Sequence, residues 1–109
     1  MVSEKKGPAR PRKDPDVLKK VQAAVAAGEF WDMVHAVGRQ LERAVTRPEY
    51  VHVLRTGYHE KKKDEYKEEH RSWNYAIRGR TIDGRDLRVP VSFDANGRLL
   101  IITVIDDLE

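Results

Sequence analysis

Trp73-Asn-Tyr-Ala-Ile-Arg-Gly-Arg-Thr-Ile-Asp-Gly-Arg-Asp-Leu-Arg-Val-Pro-Val-Ser-Phe93, continued by Asp-Ala-Asn-Gly-Arg98 and Leu-Leu-Ile-Ile-Thr-Val-Ile105, decides the fold. Trp73, Tyr75 and Ile77 alternate with Asn74, Ala76 and Arg78, the period of a half-buried strand. Asp83-Gly84 supplies a hairpin turn. Leu87, Val89, Val91 and Phe93 then predict the inward face of a second strand, with Arg88 and Ser92 facing outward. Pro90 has no N–H to give to a ladder, so a bulge or an unpaired side is expected there. Asn96-Gly97 marks a second turn. Leu99 to Ile105 is apolar on both faces apart from Thr103, which predicts a central strand covered on both sides.

Helical patterns precede this sheet. Asp14-Pro15-Asp16 resembles a helix start, Val17, Leu18, Val21 and Val25 form one apolar stripe, and Gly28 is the expected stop. A second helix is predicted from about Phe30 to Ala44 on the seam Phe30, Val34, Val37, Leu41 and Ala44. Thr46-Arg-Pro-Glu49 is a capping box that opens a third helix, with Tyr50, Val51, Val53 and Leu54 buried and Gly57 at its end. Tyr58 to Arg71 mixes charges of both signs. Its first residues suit an edge strand, and the remainder predicts an exposed, mobile loop or a short helix. Helices followed by strands give an α+β class, with N-terminal helices packed on a small antiparallel sheet.

The chain has 109 residues, room for one domain, and no cysteine, which excludes disulfides, thiolate metal sites and a cysteine nucleophile. No histidine pair has the spacing of a zinc helix motif, so neither metal nor cofactor is expected. With no apolar leader or 18-residue apolar run, a cytoplasmic protein without membrane contact is expected. The net charge of +3 is unevenly distributed. Residues 1–13 carry +4 and the remaining 96 carry −1. Residues 1–13 are therefore expected to be a disordered basic tail, either attracting nucleic acid or simply solubilising the chain, and 14–109 a single domain.

Arginine is concentrated in the predicted sheet, at Arg71, Arg78, Arg80, Arg85, Arg88 and Arg98. Its planar donor fork suits phosphate, although arginine also serves as an ordinary solvent-facing residue there. Cleavage of RNA through the neighbouring 2′-hydroxyl needs a base, an acid and a cation for the developing phosphorane charge. His35 and Glu42, on one predicted helix face with Arg39, and Tyr75 on the sheet are the candidate proton carriers. Arg39, Arg43, Arg78, Arg80 and Arg88 are the candidate RNA ligands. His35 as a helix-surface residue and Tyr75 as a core aromatic are the competing structural readings.

His35-Ala36, Arg39, Glu42-Arg43, Thr46, Val53-Leu54 and Gly57 occur in an ordered series with Tyr75-Ala-Ile-Arg-Gly79, Asp83-Gly84, Leu87-Arg-Val89 and Ile102-Thr-Val104. The series resembles domain-of-unknown-function family 4258, small bacterial proteins similar in apparent architecture to RelE/ParE-like toxins. Pro90 and Ile105 depart from the family pattern, which favours a β-branched residue and an aromatic at those places. The resemblance implies the toxin of a type II toxin–antitoxin pair, acting on RNA or ribosome-bound mRNA as an endoribonuclease and neutralised by an antitoxin protein. A non-catalytic module that binds a protein partner is the alternative.

Overall fold

The structure is a computed structural model and describes residues 10–34, 45–106 and 108. Helix α1, Val17–Ala27, is followed by strand β1, Phe30–Asp32, and helix α2, Arg47–Thr56. Strand β2, Tyr58–His59, leads through a 3₁₀ turn at Lys61–Lys63 into β3, Glu65–Lys67. Strands β4, Ser72–Arg80, β5, Asp86–Phe93, and β6, Leu99–Ile101, complete an α+β domain. The sheet runs β1-β6-β5-β4-β2, with β3 also on β4.

The apolar stripe of α1 is buried at Val17, Val21 and Val25, and Gly28 ends the helix in the left-handed conformation at φ 71°. In α2, Tyr50, Val53 and Leu54 are buried. The Glu49 carboxylate accepts from the Thr46 amide at 2.8 Å and from its hydroxyl at 3.1 Å, so the capping box forms. These side chains join Tyr75, Ile77, Leu87, Val89, Val91, Leu99 and Ile101 in one core. Both helices thus cover the sheet face that carries the odd-numbered residues of β4, β5 and β6.

Gly57 and Gly79 fix how closely α2 sits on β4. A Cβ at Gly57 would lie 2.4 Å from the Arg78 carbonyl oxygen and 2.6 Å from that of Val53. A Cβ at Gly79 would lie 3.0 Å from the Gly57 Cα. Backbone crosses backbone here, and the two glycines are the gap that lets it.

Several expectations need correction. Phe30–Asp32 is a strand rather than the start of a helix. It pairs in parallel with β6, Phe30 opposite Leu99, so the sheet is mixed and not purely antiparallel. The left-handed turn at Gly28 redirects the chain, and Phe and Trp satisfy an otherwise open edge of β6. Residues 35–44, which hold the rest of the predicted second helix, lie outside the described residues.

Ser92 lies on the face away from the helices but is buried there, its hydroxyl donating to the Trp73 carbonyl at 2.9 Å. Strand β6 is central, but Leu100 and Ile102 are half-exposed, so only one of its faces is fully covered. The charged stretch after β2 is ordered as a 3₁₀ turn and a third strand. Residues 10–13, assigned above to the tail, lie against the sheet. The Trp73 indole N–H donates to the Pro11 carbonyl at 2.9 Å, and the Arg10 guanidinium stands 4.8 Å from the Tyr66 ring centre.

Pro90 leaves the β4 side of its strand intact, where Ala76 lies opposite it in continuous register. Its effect falls on the β6 side. Pro90 accepts from the Ile102 amide at 3.0 Å but has no proton to return. The ladder stops at Val91–Ile101 and resumes at Arg88–Ile105, three residues along β5 against four along the last segment. That extra residue is a bulge in the segment opposite Pro90, not in the strand that carries the proline, where the bulge was expected.

Candidate functional site

The even-numbered residues of β4 and β5 face away from the helices. Arg78 and Arg88 are direct cross-strand partners on that face. Two like charges so placed repel. Glu60, just beyond the end of β2, resolves the conflict, its carboxylate accepting from Arg88 Nε at 2.7 Å and from Arg78 Nη1 at 2.9 Å. Asp86, the diagonal neighbour on β5, takes the other side of Arg78 through Nε at 3.1 Å and Nη2 at 2.6 Å.

The cluster is shielded but open: the Arg78, Arg88 and Glu60 side chains are 23%, 16% and 16% exposed. The Arg88 hydrogen bond, followed by that of Arg78, outweighs burial and holds the Glu60 carboxyl below the usual carboxylate range. Asp86 is lowered chiefly by its hydrogen bond to Arg78, whose own guanidinium is raised in turn by Asp86 and Glu60. Chemically, two guanidinium groups converge on one carboxylate, each through a single hydrogen bond.

A second polar cluster fills a break in the sheet edge. Strand β2 pairs with Ile77 and Arg78, while β3 pairs with Ser72 to Asn74. The Ala76 amide between them donates instead to the Asp64 carboxylate at 2.9 Å. That fully buried carboxylate also lies 2.9 and 3.0 Å from His59 Nε2 and 3.0 Å from Lys13 Nζ. A carboxylate only accepts, so Nε2 carries the shared proton. The His59 ring meets Tyr75 edge-on at 5.7 Å.

Tyr75 lies on the helix-covered face, apart from the arginines. It is buried, and its hydroxyl accepts from the Asp14 amide at 3.0 Å. Arg78 and Arg88 are brought together, whereas Arg80 is exposed and donates to the Gly84 carbonyl at the hairpin turn, 3.0 Å away. His35, Arg39, Glu42 and Arg43 lie outside the described residues. Glu60 and Asp86 were missed. For Glu60 a signal existed: it follows Tyr58 by two residues, so continuing the alternation puts it on the face of Arg78. Among the described residues no group of three or more His, Asp or Glu side chains is placed to hold a metal ion, and no helix is long and apolar enough to cross a membrane.

Two glycines at a helix–strand crossing and a sheet with one face covered by helices define a small α+β domain. A family model described as a domain of unknown function (DUF4258) matches residues 34–106, about two thirds of the chain, and the protein belongs to that family. No curated protein and no solved structure matches the chain.

Proposed function

We propose that this domain acts on RNA, binding its phosphate with Arg78 and Arg88 and cleaving it through the neighbouring 2′-hydroxyl, as the toxin of a type II pair held in check by an antitoxin in the cytoplasm. The observation that carries this reading is Glu60 clamped by two arginines on the sheet face away from the helices. In the free protein the carboxylate occupies the position of a phosphate. When RNA supplies its own anion, the arginine forks transfer to the phosphate and Glu60 is released from the bonds that depress its basicity.

Glu60 then takes the proton of the 2′-hydroxyl. The 2′-oxygen forms its bond to phosphorus, the bond to the 5′-oxygen breaks, and Arg78 and Arg88 hold the charge that develops. The departing 5′-oxygen takes a proton from Tyr58. This residue is exposed and lies opposite Arg78 on the same face. Neutrality of the cluster before binding explains how an effective phosphate site belongs to a domain with almost no net charge.

The test is direct. Wild-type protein incubated with end-labelled RNA is expected to give 2′,3′-cyclic phosphate ends, and Glu60→Gln is expected to slow their formation about 10²–10⁴-fold while keeping the wild-type circular dichroism spectrum. Absence of cleavage, together with no growth arrest when the wild-type chain is induced in bacteria, sinks the reading.

A non-catalytic partner-binding module is the second reading. It is favoured by an apolar cavity of about 400 Å³ near the other end of the same face, where Met33, Phe93, Leu100 and Ile102 meet. It predicts a stable protein complex whose formation leaves RNA intact.

A further inference from the structure

Beside Arg88 the same face carries a second, smaller cavity of about 260 Å³. Its origin is the disturbance at Pro90: the last segment bulges after Ile101 and returns at Ile105, opposite Arg88. Ala76, Pro90 and Ile105 give the cavity an apolar part, and Lys63, Glu65, Asn74 and Arg88 complete its lining. The volume falls below the ~300 Å³ at which pockets for drug-sized ligands begin. It suits one flat ring system.

The polar groups are placed for an edge. Glu65 and Asn74 are direct cross-strand partners, so a carboxylate and a carboxamide stand side by side. Among the described residues the Asn74 carboxamide makes no hydrogen bond to another group of the chain. The Glu65 carboxylate has one ion pair, to Lys67 at 3.1 Å, and is 69% exposed. An exposed pair of that kind is released at little cost.

We propose that this cavity receives the base of the nucleotide whose 3′-phosphate sits on Arg88, and that it selects guanine; the proposal rests on the RNA reading above. Guanine presents one acceptor, O6, beside two donors, N1–H and the 2-amino group. Asn74 donates to O6, and the two oxygens of Glu65 accept from the two donors. Adenine and cytosine place a ring-nitrogen acceptor where guanine has N1–H, and a carboxylate there faces a lone pair. Uracil has one donor only. The ring lies on Pro90 and Ala76, and Lys63 adds a cation at the rim.

Titrations of the full chain with guanosine, adenosine and uridine 3′-monophosphates, and with inorganic phosphate, test it, followed by amide chemical shifts. Guanosine 3′-monophosphate is expected to bind at least tenfold more tightly than the other two. Asn74→Ala and Glu65→Gln are expected to erase that preference and leave the affinity for inorganic phosphate unchanged. Equal binding of all three nucleotides, with phosphate still bound, overturns the base pocket and leaves the phosphate site standing. No binding of any nucleotide or of phosphate overturns both. A preference that survives both substitutions overturns the assignment to this cavity.

Discussion

At the scale of single residues, charge and backbone geometry impose different demands. Arg78 opposite Arg88 is an unfavourable pair until an anion joins it, so Glu60 stabilises the free protein and, on the function proposed above, is also the group an incoming phosphate displaces. The structural ion-pair network and the proposed phosphate site therefore make use of the same charges. Gly57 is constrained by shape alone. A methyl group there would meet two backbone carbonyls, at 2.4 and 2.6 Å, neither of which can swing aside. At Gly79 the nearest contacts of an added Cβ are 3.0 Å to the Gly57 Cα and 3.4 Å to a Val53 methyl, and a few tenths of an ångström of movement relieves them. Gly57→Ala is expected to destabilise the domain by about 3 kcal/mol and Gly79→Ala by about 1–2 kcal/mol, as measured by urea unfolding. Equal losses at both sites would show that α2 shifts on the sheet instead of being fixed to it.

At the scale of elements, the least regular stretch of sequence organises one edge of the sheet. The charges of residues 58–71 show almost no apolar period, which predicts a short edge strand followed by a mobile loop or a short helix. What orders them is a side chain standing in for a strand. Asp64 accepts from the Ala76 amide in the gap between β2 and β3, and it holds His59 and Lys13 as well. Such a contact between residues 12 apart leaves no periodic trace. The same limit explains the error at Phe30–Asp32, where a helical spacing was overruled by a pairing with β6 about 70 residues later. Elements whose cause is local were legible: the capping box at Thr46, the turns at Asp83-Gly84 and Asn96-Gly97, and the disturbance at Pro90. The arginines of the site were legible as a class; of their anions, Glu60 left a trace in the alternation that starts at Tyr58, whereas Asp86 becomes a partner of Arg78 only through the register of β4 and β5. Asp64→Ala removes the acceptor and strands a buried amide, an imidazole and an ammonium group. It is expected to cost about 3 kcal/mol and to speed hydrogen exchange at the Ala76 amide above all others in β4. Unchanged protection at that amide would mean that backbone pairing alone holds the edge.

At the scale of the whole molecule, the two sheet faces carry different kinds of chemistry, and pH separates their contributions. The face away from the helices holds carboxylates lowered by arginine, Glu60 and Asp86, and Glu49 and Asp83 at the α2 end and hairpin are lowered as well. A group whose folded value is depressed stabilises the fold above its unfolded value, and that stabilisation is lost as pH falls through the folded one. Ordinary values are 4.5 for glutamate and 3.8 for aspartate, so stability is expected to decline from about pH 4.5 downward. The core between helix and sheet contributes the opposite limb. Burial, and then its 2.5 Å hydrogen bond to Asp32, raises the Tyr50 phenol above its ordinary 10.0. A raised group stabilises the fold below its unfolded value, so this contribution is lost as pH climbs beyond 10.0. The urea midpoint plotted against pH is therefore expected to fall below about 4.5 and again above 10.0. Glu60→Gln should lower the midpoint between these limits and make the acid limb shallower, since a group that no longer titrates contributes no slope. Tyr50→Phe should flatten the alkaline limb and leave the acid limb as it was. An acid limb unchanged by Glu60→Gln would show that the arginine pair is not held by this carboxylate in solution, and would remove the physical basis for the proposed exchange with phosphate.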